Sequence, residues 1–146
     1  MKIARPDLRL TLLETTGKKA RFLEHVVSVL GLSDVEVVNE RAEMFGRREM
    51  FDVVVARALG ALPVLLELTL PFARLGGRVL ALKKGEALEK EIASATRALQ
   101  ILGGELASRR SYDLDGERRQ IVVIHKVAPT PPTYPRRPGV PAKNPL

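Results

Sequence analysis

Three places in the sequence set a polar side chain at or just past the end of a short apolar run, where open parallel sheets bind their ligands. Glu14 follows Leu8 to Leu13 (LRLTLL). A carboxylate there accepts hydrogen bonds from the two hydroxyls of a ribose, or it is merely a solvated strand end. Ala42 and Glu43 come a few residues after Val35 to Val38, where a backbone N–H and a carboxylate can frame an adenine edge. An acid opening a short helix also serves the helix dipole alone. Arg57 ends Phe51 to Ala56 (FDVVVA), where a buried or half-buried guanidinium needs an anionic or hydrogen-bonding partner, the alternative being an ion pair with Glu43 or another acid. Lys83 and Lys84, followed by Gly85, close a fourth run and suit either phosphate or a solvated surface. His25 and His125 have no serine or metal constellation around them and read as structural. The chain has no cysteine, which excludes disulfides, thiolate metal sites and a cysteine nucleophile, and two histidines do not make a zinc site.

These positions depend on the elements that carry them. Leu8 to Leu13, Val35 to Val38, Phe51 to Ala56 and Arg78 to Leu82 read as strands, the third apolar enough to be covered on both faces. Between the first two, Phe22, Leu23, Val26, Val27 and Leu30 recur at helical spacing and end at Gly31. A short helix is expected between the second and third strands. Ala61 to Phe72, with Pro63 in its first turn, and Ala87 to Leu102, stopped by Gly103-Gly104, predict two more helices. Glu105 to Ser111 and Arg119 to Lys126 read as a final antiparallel pair joined through Asp115-Gly116. The order predicts an α/β protein with an open sheet, parallel until its last pair.

Composition narrows the partner. The chain has 146 residues, one domain's worth, and 24 Lys and Arg against 17 Asp and Glu give +7, which favours a polyanion, nucleic acid first. Seven of the ten prolines fall in the last twenty residues, and residues 126–146 carry Lys126, Arg136, Arg137 and Lys143 with no acid. The expected organisation is therefore a folded part over 1–126 and a basic, proline-rich tail over 127–146. No apolar run approaches the roughly 20 residues of a membrane span, and no signal peptide is read at the start, so a cytoplasmic address is expected. Aromatic residues are 4% of the chain, so contact with RNA is expected to be mainly electrostatic, without a stacking platform.

Five segments together resemble one family: LTLLETTGKKARFL at 10–23, NERAEMF at 39–45, DVVVARAL at 52–59, LPFARLGGRVLALKKG at 70–85 and, above all, APTPPTYPRRPGVPAKNPL at 128–146. It is the family of guanine-N7 methyltransferases of small-subunit (16S) ribosomal RNA, also called glucose-inhibited division protein B. The resemblance implies the Rossmann-like open sheet of S-adenosylmethionine-dependent methyltransferases, with the last strand antiparallel. It implies that Glu14, Thr15 and Thr16 lie on the cofactor, that Ala42 and Glu43 lie at its adenine, and that Arg57 is catalytic, orienting the guanine, holding the cofactor carboxylate, or both. Guanine N7 attacks a sulfonium methyl through an in-plane lone pair, so no general base is needed. Lys83, Lys84, Arg136, Arg137 and Lys143 are the candidate contacts to 16S ribosomal RNA, the tail either lying near RNA or packing over the fold. No metal and no membrane are expected. The family's first strand and glycine-rich loop should precede Glu14 by about 20 residues, and no GxGxxG occurs here. That predicts a missing central strand, two neighbouring strands with unpaired edges, and weak cofactor binding by this chain alone. A non-catalytic, basic RNA-binding or ribosome-associated module is the competing expectation.

Overall fold

The computed structural model describes residues 1–84 and 88–146. The chain forms two compact units, residues 1–45 and 46–146.

In the first unit, β1 (Leu10–Leu13) runs parallel to β2 (Val35–Val38), in register from Leu10 opposite Val35 to Leu13 opposite Val38. The helix α1 (Gly17–Val29) connects them. Its inward stripe is narrower than the sequence suggests. Ala20 is buried and Leu23, Val26 and Val27 are half-buried, at i, i+3, i+6 and i+7, whereas Phe22 and Leu30 are 64% and 50% exposed. Each step along a helix turns the side chain by about 100°, so Phe22 is carried off the face that Leu23 occupies. The short helix after β2 is a single 3-10 turn, Ala42–Met44.

The second unit is a four-stranded sheet in the order β3 (Phe51–Arg57), β4 (Ala73–Lys84), β6 (Glu117–Lys126), β5 (Gly104–Leu114). β3 and β4 are parallel, and the β4–β6 and β6–β5 pairs are antiparallel. The sheet class is as expected, with β4 longer because Ala73 pairs with Phe51 across an irregularity. Gly77 sits there with no room for a side chain, since a Cβ would lie 2.8 Å from the Arg74 carbonyl and 3.0 Å from that of Asp52. Asp115 and Gly116 both take positive φ, 54° and 75°, giving the two-residue turn that suits the right-handed twist of the hairpin.

The helices are shorter than their apolar patterns suggest. α2 spans Leu62–Glu67, stopping before Leu70, which precedes Pro71 and is disfavoured in helical backbone. Ala87 lies outside the described residues. The long helix after it is two, α3 (Leu88–Ser94) and α4 (Thr96–Leu102). Ser94 Oγ donates to the Glu91 carbonyl at 2.8 Å and Thr96 Oγ1 to that of Ala93 at 3.1 Å, so two hydroxyls flanking Ala95 compete with the main chain at the break.

Leu65, Leu66, Ala98 and Leu102 from these helices bury Val79, Ala81, Val122 and Ile124 on one face of the sheet. The tail packs over its own unit. Glu67, wholly buried, accepts from the backbone N–H of Arg136 at 2.9 Å and from its guanidinium at 2.8 and 2.6 Å. Arg48 donates to the carbonyls of Thr130 and Pro131 at 3.1 and 3.2 Å and to that of Tyr134. The tail closes with the short helix α5 (Val140–Lys143), and Tyr134 and Leu146 touch the core. Among the described residues no helix is long and apolar enough to cross a membrane, and no three His, Cys, Asp or Glu side chains converge as a metal site.

Candidate functional site

In the first unit, the parallel register brings the carboxyl ends of β1 and β2 side by side. The Glu14 N–H donates to the Val38 carbonyl at 3.0 Å, and Asn39 Nδ2 returns a bond to the Glu14 carbonyl at 2.7 Å. The Glu14 carboxylate is thereby held at the mouth of the strand pair. Its Oε1 accepts from the Thr16 N–H at 2.8 Å and from the Thr15 hydroxyl at 3.4 Å. The Thr16 N–H holds the Glu14 carboxyl below its ordinary value, and Lys19 adds to the effect. An ionised carboxylate has about four lone-pair sites, and these bonds occupy one oxygen. The acceptor capacity a vicinal diol requires is present, so Glu14 fits the ribose of a nucleoside cofactor. Thr15 and Thr16 are brought against it. Asn39 went unnoticed in the sequence, although a short polar side chain just past a strand is the available signal. Glu43, in the 3-10 turn with Ala42, has a largely buried side chain 3.7 Å from the Arg41 guanidinium.

In the second unit, the ends of β3 and β4, the start of β6 and the end of β5 surround an open cleft of about 320 Å³. Arg57, Lys83 and Lys84 all line it. Their situations differ. Lys83 is anchored, donating to the Gly60 carbonyl at 2.8 Å and paired with Glu91 at 2.5 Å, and Glu91 also accepts the Leu62 N–H at the start of α2. The Arg57 and Lys84 side chains are exposed, and neither makes a hydrogen bond or ion pair with the described residues. Arg57 shares its sheet face with Val53 and Val55, opposite the helices. Of the tail cations, Arg136 is committed to Glu67 and to the Asn144 carbonyl at 2.8 Å, whereas Arg137 and Lys143 are exposed. The sequence also gave no notice of Tyr112 and Arg119, which line the cleft from the final hairpin. The Asp-Gly turn locates that hairpin, and only its register shows which of its residues reach the strand ends.

Comparison with known proteins places these features. Residues 1–122 match the model of the family described as GidB, rRNA small subunit methyltransferase G. Proteins named ribosomal RNA small subunit methyltransferase G from Chloroflexus aggregans and Roseiflexus castenholzii are each 50% identical over the whole of this chain, which covers 63% and 64% of their lengths. The Geobacillus kaustophilus protein of that name is 44% identical over the whole chain and 63% of its own length. The chain thus spans just under two thirds of the length of these relatives. Among solved structures, the antibiotic-resistance methyltransferase Kmr aligns with a TM-score of 0.68 at 15% identity, over 87% of this chain and 79% of that one. A SAM-dependent methyltransferase from Methanosarcina mazei aligns with a TM-score of 0.64 at 14% identity, over 80% and 81%. These structures share the fold.

Proposed function

The chain belongs to the GidB family, rRNA small subunit methyltransferase G, and on that premise we propose that it serves the transfer of a methyl group from S-adenosylmethionine to N7 of a guanine in 16S ribosomal RNA. The reaction belongs in the cytoplasm, where that RNA is found. The observation that carries the reading is the Glu14 carboxylate, ionised and held by Thr16 at the end of a parallel strand with acceptor capacity to spare.

When bound, the cofactor supplies a sulfonium methyl, which the N7 lone pair of guanine can take while the carbon–sulfur electrons stay on sulfur, so no proton leaves N7. The residues of this chain therefore have to bind, orient and exclude water rather than act as bases. Glu14 is assigned the ribose hydroxyls, Thr15 and Thr16 the positioning of its carboxylate, and Ala42 and Glu43 the adenine edge. Arg57, with no internal partner among the described residues, is assigned the reacting guanine or the cofactor carboxylate. Lys84, Arg137 and Lys143 are free to meet phosphates. Lys83 borders the same cleft, and Arg136 acts on RNA only through the tail it anchors.

Calorimetric titration of S-adenosylmethionine tests the reading, with this chain alone and with the upstream strand and glycine-rich loop of a relative joined to it. Binding by either form that is weakened about tenfold or more in Glu14→Ala is the expected result, the loss of a charged acceptor from a paired hydrogen bond. Binding by neither form, with the protein folded and RNA still bound, would replace it with the non-catalytic RNA-binding module.

A further inference from the structure

The cleft at the strand ends holds a second arrangement, in which Lys84 is joined by two residues that have no role assigned above. Lys84 on β4 lies opposite Arg119 on β6, and Arg119 lies opposite Tyr112 on β5. Directly opposed residues of antiparallel strands project from the same face with Cβ atoms about 5 Å apart. The register therefore makes a row of ammonium, guanidinium and phenol ring along one edge of the cleft. Tyr112 is 40% exposed, and its hydroxyl has no partner among the described residues. The Arg119 guanidinium gives one nitrogen to Glu117 at 2.5 Å, while its Nε is buried with no acceptor among the described residues. A guanidinium left short of an acceptor, an exposed cation and an open ring form a surface suited to an anionic, planar ligand.

We propose that this row is a nucleotide subsite, in which the Tyr112 ring stacks on an unpaired RNA base and Arg119 and Lys84 hold its phosphate. The proposal rests on the RNA substrate assigned above and adds where the strand beside the target is gripped. Three strand spacings of about 4.8 Å separate β3, which carries Arg57, from β5, which carries Tyr112, roughly 14 Å in all. That is wider than one base, so Tyr112 takes a neighbour of the guanine assigned to Arg57. Single-stranded RNA suits this geometry because its bases can be splayed onto a ring, whereas a duplex keeps them stacked. One well-placed ring provides what the low aromatic content of the sequence argued against.

Fluorescence anisotropy of this chain with a short labelled single-stranded RNA, at several salt concentrations, tests the subsite. Tyr112→Ala is expected to weaken binding about tenfold to a hundredfold with the salt slope unchanged, and Tyr112→Phe to bind as the parent does. Lys84→Ala is expected to lower the slope of log affinity against log salt by about 0.7, the share of one phosphate contact on a single strand. Tyr112→Leu, matched to the parent by thermal melting, separates stacking from general apolar contact and serves if the alanine variant unfolds. Parent-like affinity in Tyr112→Ala or Tyr112→Leu, or equal loss in Tyr112→Phe, overturns the subsite and leaves the methyltransferase reading standing. Failure of the parent to bind RNA overturns both the subsite and the RNA substrate, while cofactor binding remains a separate measurement.

Discussion

Two buried charges of the second unit have opposite characters. Glu67 is wholly enclosed and its carboxylate is satisfied by a two-pronged bond from the Arg136 side chain and a third bond from its backbone. Arg136→Ala strands that carboxylate in the core, so a loss of about 3–5 kcal/mol is expected on chemical denaturation. Arg136→Lys should recover only part of it, because an ammonium cannot reproduce the fork; full recovery would show that charge alone suffices. Lys126 is 1% exposed, with Nζ donating to the carbonyls of Leu70 and Leu102 at 3.1 Å and lying 3.5 Å from Glu49. Burial pulls its pKa below the ordinary 10.5, and Glu49 offsets only part of that. Between the lowered folded value and 10.5 the unfolded chain binds more protons than the folded one, so the Lys126 contribution to stability rises with pH there. The melting temperature of the parent should gain on that of Lys126→Met as pH is raised toward 10.5, and a constant difference would contradict the linkage. That Glu14, Arg57 and Lys84 stand at strand ends is legible in the sequence, because apolar runs show where strands stop. That Arg136 is turned inward is not, because Glu67 stands 69 positions away and carries no local sign of its partner.

The elements whose boundaries were legible are those closed by local chemistry. Asp115-Gly116 specifies its turn because few residues take positive φ in succession, and the hairpin follows. The break between α3 and α4 is less visible, since apolar spacing runs straight through Ala95 and only the two flanking hydroxyls mark it. Gly103 shows how an element end couples to the tail. It closes α4 with φ of 74°, and its carbonyl accepts the N–H groups of Val127 and Ala128 at 2.9 and 3.1 Å. A Cβ at Gly103 would run into the Ala128 backbone. Gly103→Ala therefore adds a steric clash to the roughly 1 kcal/mol or more of left-handed strain and should loosen the chain from Val127 onward. Hydrogen exchange would register it as faster exchange at Val127 and Ala128 than at the hairpin turn; uniform change across β6 would point to general destabilisation instead.

At the scale of the whole chain, the sequence predicts an open sheet in which two neighbouring strands have unpaired edges, and among the described residues the strands form two sheets, one of two strands and one of four. Among the described residues β1 pairs only with β2, and β3 only with β4. β3 is the more exposed hazard, because it combines a free edge with Val53 and Val55 at 45% and 40% exposure on the face opposite the helices. Long apolar edges pair with other copies unless charge prevents it. Here the net charge of +7 keeps copies apart only while it is unscreened, and the Debye length falls from about 30 Å at 0.01 M to about 8 Å at physiological salt. Self-association and RNA binding should therefore answer salt in opposite directions, the first strengthening and the second weakening as phosphate contacts are screened. Val55→Lys places a charge on the free strand without touching the buried face. Light scattering at raised salt should increase for the parent and stay flat for Val55→Lys, with the melting temperature shifted by no more than the few degrees expected of a surface change. Equal scattering from the two would mean that association runs through a different surface, with the exposed α1 residues Phe22 and Val29 the next to substitute.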